Sequence, residues 1–437
     1  MSASTESRGP GRGGYGRGAA ILSVGIGVTG LVTYAYFALA SHTLSHSSYG
    51  GITLLWSAVF IVVSVLYRPV EQLLSRTIAD RDVRGQAGSE HLRVAATIQL
   101  GLGVLFAAVA LALYRPLEHG LFGGSSTLYW VMIAAVLCYA ASYFARGFLA
   151  GHRRFGLYGL LVLLEALSRV AFAVVAAVGI AKGQSVVALG IAAAPLFSLS
   201  VVPWAIRRRI RAGAAPAADD PPATDATPEQ AEFTLAHGAG FAGAVLLIMI
   251  SEQTFLNGGP LLVKATEGHR GAALAGFAFN VLLIARAPLQ LFQAIQTSIL
   301  PHLTKLSVSG QADPFRRSVN VTLGAIAAFA GVVALAMLAL GPQIMRLAFG
   351  AGGQYGRGGL VLVAVGMGLY LAAATLNQAA LARGRTSEAA ACWVGAAVVF
   401  VIVLLVPGFD QRVLQVEVAY VGGALLLCTL LYGLYVR

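Results

Sequence analysis

Charge is scarce in this chain. Asp, Glu, Lys and Arg together make up 11% of its 437 residues, against 57% hydrophobic residues. A soluble domain usually carries about 25% charged residues, so this deficit excludes an ordinary water-soluble fold. Cysteine is almost absent. Cys138, Cys392 and Cys428 each fall inside an apolar run, which leaves neither a disulfide framework nor a metal-ligand spacing, and they read as small packing residues. Acidic residues are fewer still than basic ones, 18 against 30, for a net charge of +12. The basic residues are not gathered on a polar domain, so the excess does not point to nucleic acid. No nucleophile stands beside a base, no acidic outer loop marks a membrane glycosyltransferase, and no cofactor motif is present. An enzyme is disfavoured.

What the chain has in abundance is apolar sequence, cut into runs of about twenty residues, the length that crosses a bilayer core as a helix. Spans are expected near 19–40, 52–75, 93–113, 127–149, 157–180 and 186–206, then near 235–257, 271–299, 318–341, 357–380, 388–407 and 415–436. Residues 1–18 are polar and rich in Gly and Arg, and read as a disordered cytoplasmic tail before an uncleaved first span. Residues 207–232, rich in Pro, Ala and Asp, read as a cytoplasmic linker. It divides an N-lobe over 19–206 from a C-lobe over 233–437.

Orientation follows from counting. With the N-terminus inside, cytoplasmic segments hold 20 of the 30 Lys and Arg, from Arg8 to Arg437. The outer segments hold seven: Arg115, Lys182, Lys264, Arg270, Arg346, Arg357 and Arg412. This bias obeys the positive-inside rule, and it places both termini in the cytoplasm of a bacterial inner-membrane protein. The halves also echo each other. Arg68-Pro69 closes the second span and Arg286-Ala287-Pro288 lies in the eighth, while the turn at Gly151-His152-Arg153 resembles Arg383-Gly384-Arg385. Repeats of one orientation are a transporter architecture.

Charges inside spans each cost about 2.5–3.5 kcal/mol on insertion scales, and so mark function by default. Arg286 lies deep in its span, either paired with Glu252 or facing a watery cavity as an anion-attracting group. Arg68 holds the matching place in the first half, with Glu71 one turn away as a local neutraliser. Glu252, followed by Gln253 and Asn257, is either that partner or an ion-coupling site for H+ or Na+. Glu165 and Arg169 stand at i and i+4 on the fifth span, in the orientation that favours a pair; they read as a structural pair or a cavity pair. Gly25-x-Gly27-x-x-Gly30 follows no strand and reads as helix packing. His42 and His46 lack a third ligand, so no metal site is expected.

The phrase Ala145-Arg146-Gly147-Phe148-Leu149-Ala150-Gly151-His152-Arg153-Arg154-Phe155 carries a resemblance. So do Arg286-Ala287-Pro288 running to Ser298-Ile299-Leu300-Pro301-His302-Leu303, and Leu347-Ala348-Phe349-Gly350 with Tyr355. With the six-plus-six layout, the chain resembles the multidrug/oligosaccharidyl-lipid/polysaccharide (MOP) flippase superfamily over about residues 19–437. The resemblance implies an all-α polytopic membrane protein of about twelve transmembrane helices. Two pseudo-symmetric six-helix lobes would enclose a central V-shaped cavity that opens to each side in turn. It implies a cationic cavity, with Arg68 and Arg286 holding an anionic lipid-linked sugar, membrane lipids around the helices and envelope glycosyltransferases as partners. The first span lacks the arginines of lipid-II flippases, which directs the resemblance to a polyprenyl-pyrophosphate-linked oligosaccharide or polysaccharide precursor. A multidrug/toxin extrusion antiporter using Glu252 is the rival on the same fold. A membrane scaffold for envelope synthesis is the rival from another class.

Overall fold

The computed structural model describes residues 12–83, 88–203, 235–268, 271–284, 312–350, 355–406 and 411–437. Fourteen α-helices are named among the described residues. They are α1 (Arg12–Thr43), α2 (His46–Leu66), α3 (Arg68–Val83), α4 (Glu90–Ala112), α5 (Ser126–Gly151), α6 (Phe155–Ala177) and α7 (Gln184–Ser198). The second half holds α8 (Leu235–Gln253), α9 (Gly259–Glu267), α10 (Gly271–Ile284), α11 (Ala312–Phe349), α12 (Arg357–Ala382), α13 (Thr386–Leu405) and α14 (Arg412–Val436). No strand occurs among the described residues.

Ten stretches of described helix are long and apolar enough to cross a bilayer. The helix α1 and the shorter apolar α10 fall where the first and eighth spans are expected, so the fold is that of a multi-pass membrane protein. All-helical construction follows from the solvent. Hydrocarbon offers no hydrogen bonds, so each backbone amide must be satisfied within its own segment.

Three elements differ from expectation. The helix α1 begins at Arg12, ahead of Ala19, so the expected tail is helical over its last turns; an anchored span propagates a helix more cheaply than a new one nucleates. The long α11 has 38 residues, about 57 Å at 1.5 Å per residue, and outruns a hydrocarbon core of about 30 Å. The seventh span is broken by a π turn over Thr254–Gly258. Pro260 has no amide to return to the carbonyl of Leu256, and Gly258-Gly259 lowers the helical preference of the same turn. The expected linker, 207–232, lies outside the described residues.

The helices pair in the same way twice. In the first half α1 packs on α6, α6 on α7, α5 on α7 and α4 on α5. In the second half α8 packs on α13, α13 on α14, α12 on α14 and α11 on α12. These are the same four contacts between spans one, three, four, five and six and their counterparts six spans later. The lobes are thus related by a repeat of one orientation, as an axis along the membrane normal requires.

Glycine sets several close approaches, because without a hydrophobic drive helices associate through small residues. A Cβ at Gly147 would lie 2.8 Å from the carbonyl oxygen of Glu71, and one at Gly151 would lie 2.7 Å from Ile78 Cβ. This Gly-x-x-x-Gly face of α5 therefore holds α3, and with it Arg68 and Glu71, against the N-lobe. Between lobes, Gly50 of α2 seats on the backbone of Ala272 in α10, and a Cβ at Gly276 would lie 3.3 Å from Gly50 Cα. Beside them the Tyr49 hydroxyl bonds Asn280 Oδ1, and Asn280 Nδ2 donates to the Tyr355 hydroxyl at 3.0 Å. Phe37 meets Phe279 at a ring separation of 4.6 Å. This seam closes the arginine-poor end of the bundle.

Candidate functional site: a polar cavity between the lobes

Below the seam, toward the arginine-rich end, lies a cavity of about 440 Å³. Its walls come from both lobes: α1, α2, α3, α5 and α6 on one side, α8, the π turn and Leu283 of α10 on the other. The apolar wall is aromatic, with Tyr34, Phe37, Trp56, Phe60, Tyr143 and Tyr158. The polar wall adds Thr29, Thr33, Ser64, Gln72, Gln253 and Asn257. Thr29 and Thr33 hydroxyls donate to carbonyls one turn back, at 2.8 Å each, which satisfies them within α1 at no cost to the span.

Four charges line the cavity: Arg68, Glu71, Arg146 and Glu252. Arg68 Nη1 stands 4.0 Å from Glu252 Oε2, an ion pair that bridges the lobes. Both side chains keep access to the cavity, at 35% and 23% exposure, and the pair is beyond hydrogen-bond length. Among the described residues Arg68 makes no hydrogen bond, which leaves its N–H donors available to a ligand. Pro69 accounts for its placement. It withholds an amide from the carbonyl of Val65 and follows the break between α2 and α3 at Tyr67, which leaves Arg68 in the first turn of α3.

Glu71 interacts with the Arg68 charge, as its spacing predicts, without forming a close ion pair with it. It accepts a 2.9 Å hydrogen bond from the Tyr158 hydroxyl of α6. The expected pair of Glu165 and Arg169 is likewise not formed. Glu165 takes Arg146 Nη2 at 2.5 Å and the hydroxyls of Ser142 and, at 3.4 Å, Ser198. Arg169 turns the other way, donating to the Tyr139 hydroxyl at 2.8 Å with its guanidinium 5.1 Å from the centre of the Trp56 ring. The reason is packing on three sides of α6. Small Ser142 and Ser198 leave room for the carboxylate toward α5 and α7. The flat guanidinium is better desolvated on an indole face.

Arg146 is the residue that sequence reasoning missed, because its position near the helix end reads as a cytoplasmic flank. It is nearly buried, lies 4.5 Å from the Tyr143 ring centre, and shares the cavity wall with Arg68. The one available signal was the short turn at His152-Arg153-Arg154, which makes α5 and α6 antiparallel neighbours. Asn257 lies in the π turn and donates to Gln253 Oε1 at 2.8 Å. Such turns gather at functional sites because they expose backbone and re-aim side chains. Arg286 lies outside the described residues. Among the described lining residues two arginines thus face two glutamates.

No His, Cys, Asp and Glu cluster suited to a metal ion occurs among the described residues.

No family model matches the chain. It is similar to uncharacterized proteins of Mycobacterium tuberculosis and Mycobacterium bovis, 27% identical over 405 residues, covering 87% of this chain and 83% of theirs. Among solved structures it is similar to the inward-facing conformation of a multidrug resistance MATE family transporter of the MOP superfamily. That match has a TM-score of 0.68 and 15% identity, over 95% of this chain and 97% of the other. An outward-facing conformation of such a transporter gives a TM-score of 0.62 at 14% identity, over 97% and 96%. A eukaryotic MATE transporter gives 0.58 at 14% identity, over 97% and 96%. At these identities the likeness is one of fold: the chain has a two-lobed, MATE-like architecture.

Proposed function

We propose that the protein is a membrane transporter working by alternating access, and that its substrate is a polyprenyl-pyrophosphate-linked oligosaccharide, the precursor of an envelope polysaccharide. The observation that carries this reading is Arg68, a cation with unused donors in a cavity of aromatic rings, hydroxyls and amides. A pyrophosphate cannot cross hydrocarbon unaided and needs a shielded cation. Sugar rings offer C–H faces to Trp56, Phe60 and Tyr143, and hydroxyls to Gln72, Gln253 and Asn257. The lipid tail stays between helices in the bilayer while the head group enters.

The positive-inside rule makes the arginine-rich end cytoplasmic in a bacterial inner membrane, with both termini inside. The seam at Gly50 and Tyr49 is then the outer closure, and the cavity loads where envelope precursors are made by membrane glycosyltransferases. Two six-helix lobes, joined by the linker at 207–232, rock about the bound group. Arg286 joins Arg68 in holding the diphosphate. The sequence holds no nucleotide-binding loop, so H+, Na+ or the membrane potential drives the cycle.

The second reading is a cation antiporter of the multidrug extrusion type. Glu71 and Glu252 on the cavity wall favour it, and the solved structures named above are described as MATE transporters, two of them as multidrug resistance transporters.

Leaflet exchange of a fluorescent polyprenyl-pyrophosphate oligosaccharide in liposomes separates the two. Exchange by the wild type that collapses in Arg68→Gln and Arg286→Ala supports the flippase. Absence of exchange under a proton or sodium gradient, with Glu252-dependent efflux of an organic cation, overturns it in favour of the antiporter.

A further inference from the structure

The second half of the molecule holds a carboxylate that the cavity does not use. Glu417 lies in the second turn of α14 and is 4% exposed. Five residues from Arg412, it sits about 7.5 Å inside the arginine-poor end at 1.5 Å per residue. It forms neither a hydrogen bond nor an ion pair with any described residue.

The described cations on the elements around it do not pair with it. On its own helix, Arg412 Nε donates to Glu267 Oε1 at 2.5 Å and Nη1 to Gln415 Oε1 at 2.7 Å. On α9, which touches Val416 through Gly259, Lys264 Nζ donates to the carbonyl of Gly268 at 2.6 Å. On α12, Arg357 is exposed and Tyr355, just ahead of the helix, holds Asn280. On α13 the matching end is apolar, with Leu404 and Leu405. None of these groups pairs with Glu417.

The space around it is built. The carboxyl group lies directly against Gly359 in the first turn of α12, where any Cβ would overlap it. Burial without a cation partner disfavours the ionised carboxylate in such a place. The same place offers the opposite state once water enters. The first turn of α12 presents free amides and the positive end of the helix dipole to an anion. That turn follows Tyr355, the last member of the hydrogen-bonded series Tyr49–Asn280–Tyr355 that ties α2 to α10 across the seam.

We propose that Glu417 is a proton-binding site that senses the arginine-poor side, protonated while the seam is shut and ionised when it parts. The proton leaves to the water that enters at that end and returns from it on closure. The site rests on the reading that the two ends open in turn, and it assigns the coupled ion on this side as H+. It also separates ion coupling from Glu252, whose carboxylate already faces Arg68.

The test needs no substrate. Infrared spectra of the full chain in liposomes at neutral pH, wild type against Glu417→Gln, read a protonated carboxyl directly. Glutamine keeps the shape and mimics the neutral state, so folding is preserved. Loss of a carboxylic acid C=O band in the variant supports the site; an unchanged band overturns it. A second readout is labelling of a cysteine placed at Ala273 by an impermeant maleimide. Labelling that rises with external pH in the wild type but not in Glu417→Gln supports the gate. The same pH response in both overturns it. Neither readout depends on lipid-linked sugar, so failure of the substrate assignment leaves both interpretable.

Discussion

Arg68 on the N-lobe and Glu252 on the C-lobe stand 4.0 Å apart across the cavity, the ion pair by which one lobe reaches the other there. Both are partly exposed, and such pairs contribute about 1 kcal/mol or less to stability. Their value lies in the lobe equilibrium. Replacing Arg68 by Gln or Glu252 by Gln is expected to leave the melting transition nearly unchanged while shifting the population of lobe separations. Spin-label distances between α3 and α8 measure this. A double charge reversal restores the distance distribution but not exchange of an anionic substrate. A drop in melting temperature matching that of a buried pair would contradict this account.

The pair of Arg146 and Glu165 obeys different energetics. Glu165 is 2% exposed and Arg146 11%, so removing one partner strands a charge in low dielectric. Glu165→Ala is expected to cost about 3–5 kcal/mol, and the double variant with Arg146→Met to recover most of that loss. Thermal unfolding in detergent reads both. Equal losses in single and double variants would show that the serines, not the ion pair, hold this part of the N-lobe.

Gly50 seats on the carbonyl of Ala272, where a Cβ has no room. Gly50→Leu is expected to hold the seam apart and raise labelling of a cysteine at Ala273 from the arginine-poor side. Gly276→Leu, on the facing helix, acts in the same direction. Labelling no faster than in the wild type would mean that the seam is closed elsewhere.

Gly147 supports the cavity floor from behind, since its absent side chain lets α3 pack at the Glu71 backbone. Gly147→Val forces the two helices apart at a cost of about 1–3 kcal/mol. It is expected to weaken substrate exchange more than Gly156→Val. Gly156 lies in the first turn of α6 with no heavy atom near its Cβ position. Comparable activity in the two variants would separate α3 placement from function.

Membrane class, span positions and the six-plus-six division were legible in the residues themselves. Apolar runs of the right length have no other stable setting, and hydropathy acts locally along the chain. The second span shows this: its run near 52–75 is occupied by α2 and α3. Part of the site was legible too, because an intramembrane charge is costly enough to stand out, as Arg68 and Glu252 did.

Partner choice was decided only by tertiary structure. Glu165 has Arg169 one turn away on its own helix and bonds Arg146 of α5 instead. Glu71 has Arg68 within a turn and takes Tyr158 of α6. The spacing of residues on one helix fixes which side chains can meet, but rotamer and burial settle which do, and those depend on the helices alongside. Glu417 makes the same point from the other direction. In sequence it is one acid in an apolar run; its solitude comes from Gly359, Lys264 and Arg412, whose positions around it only the packed C-lobe defines.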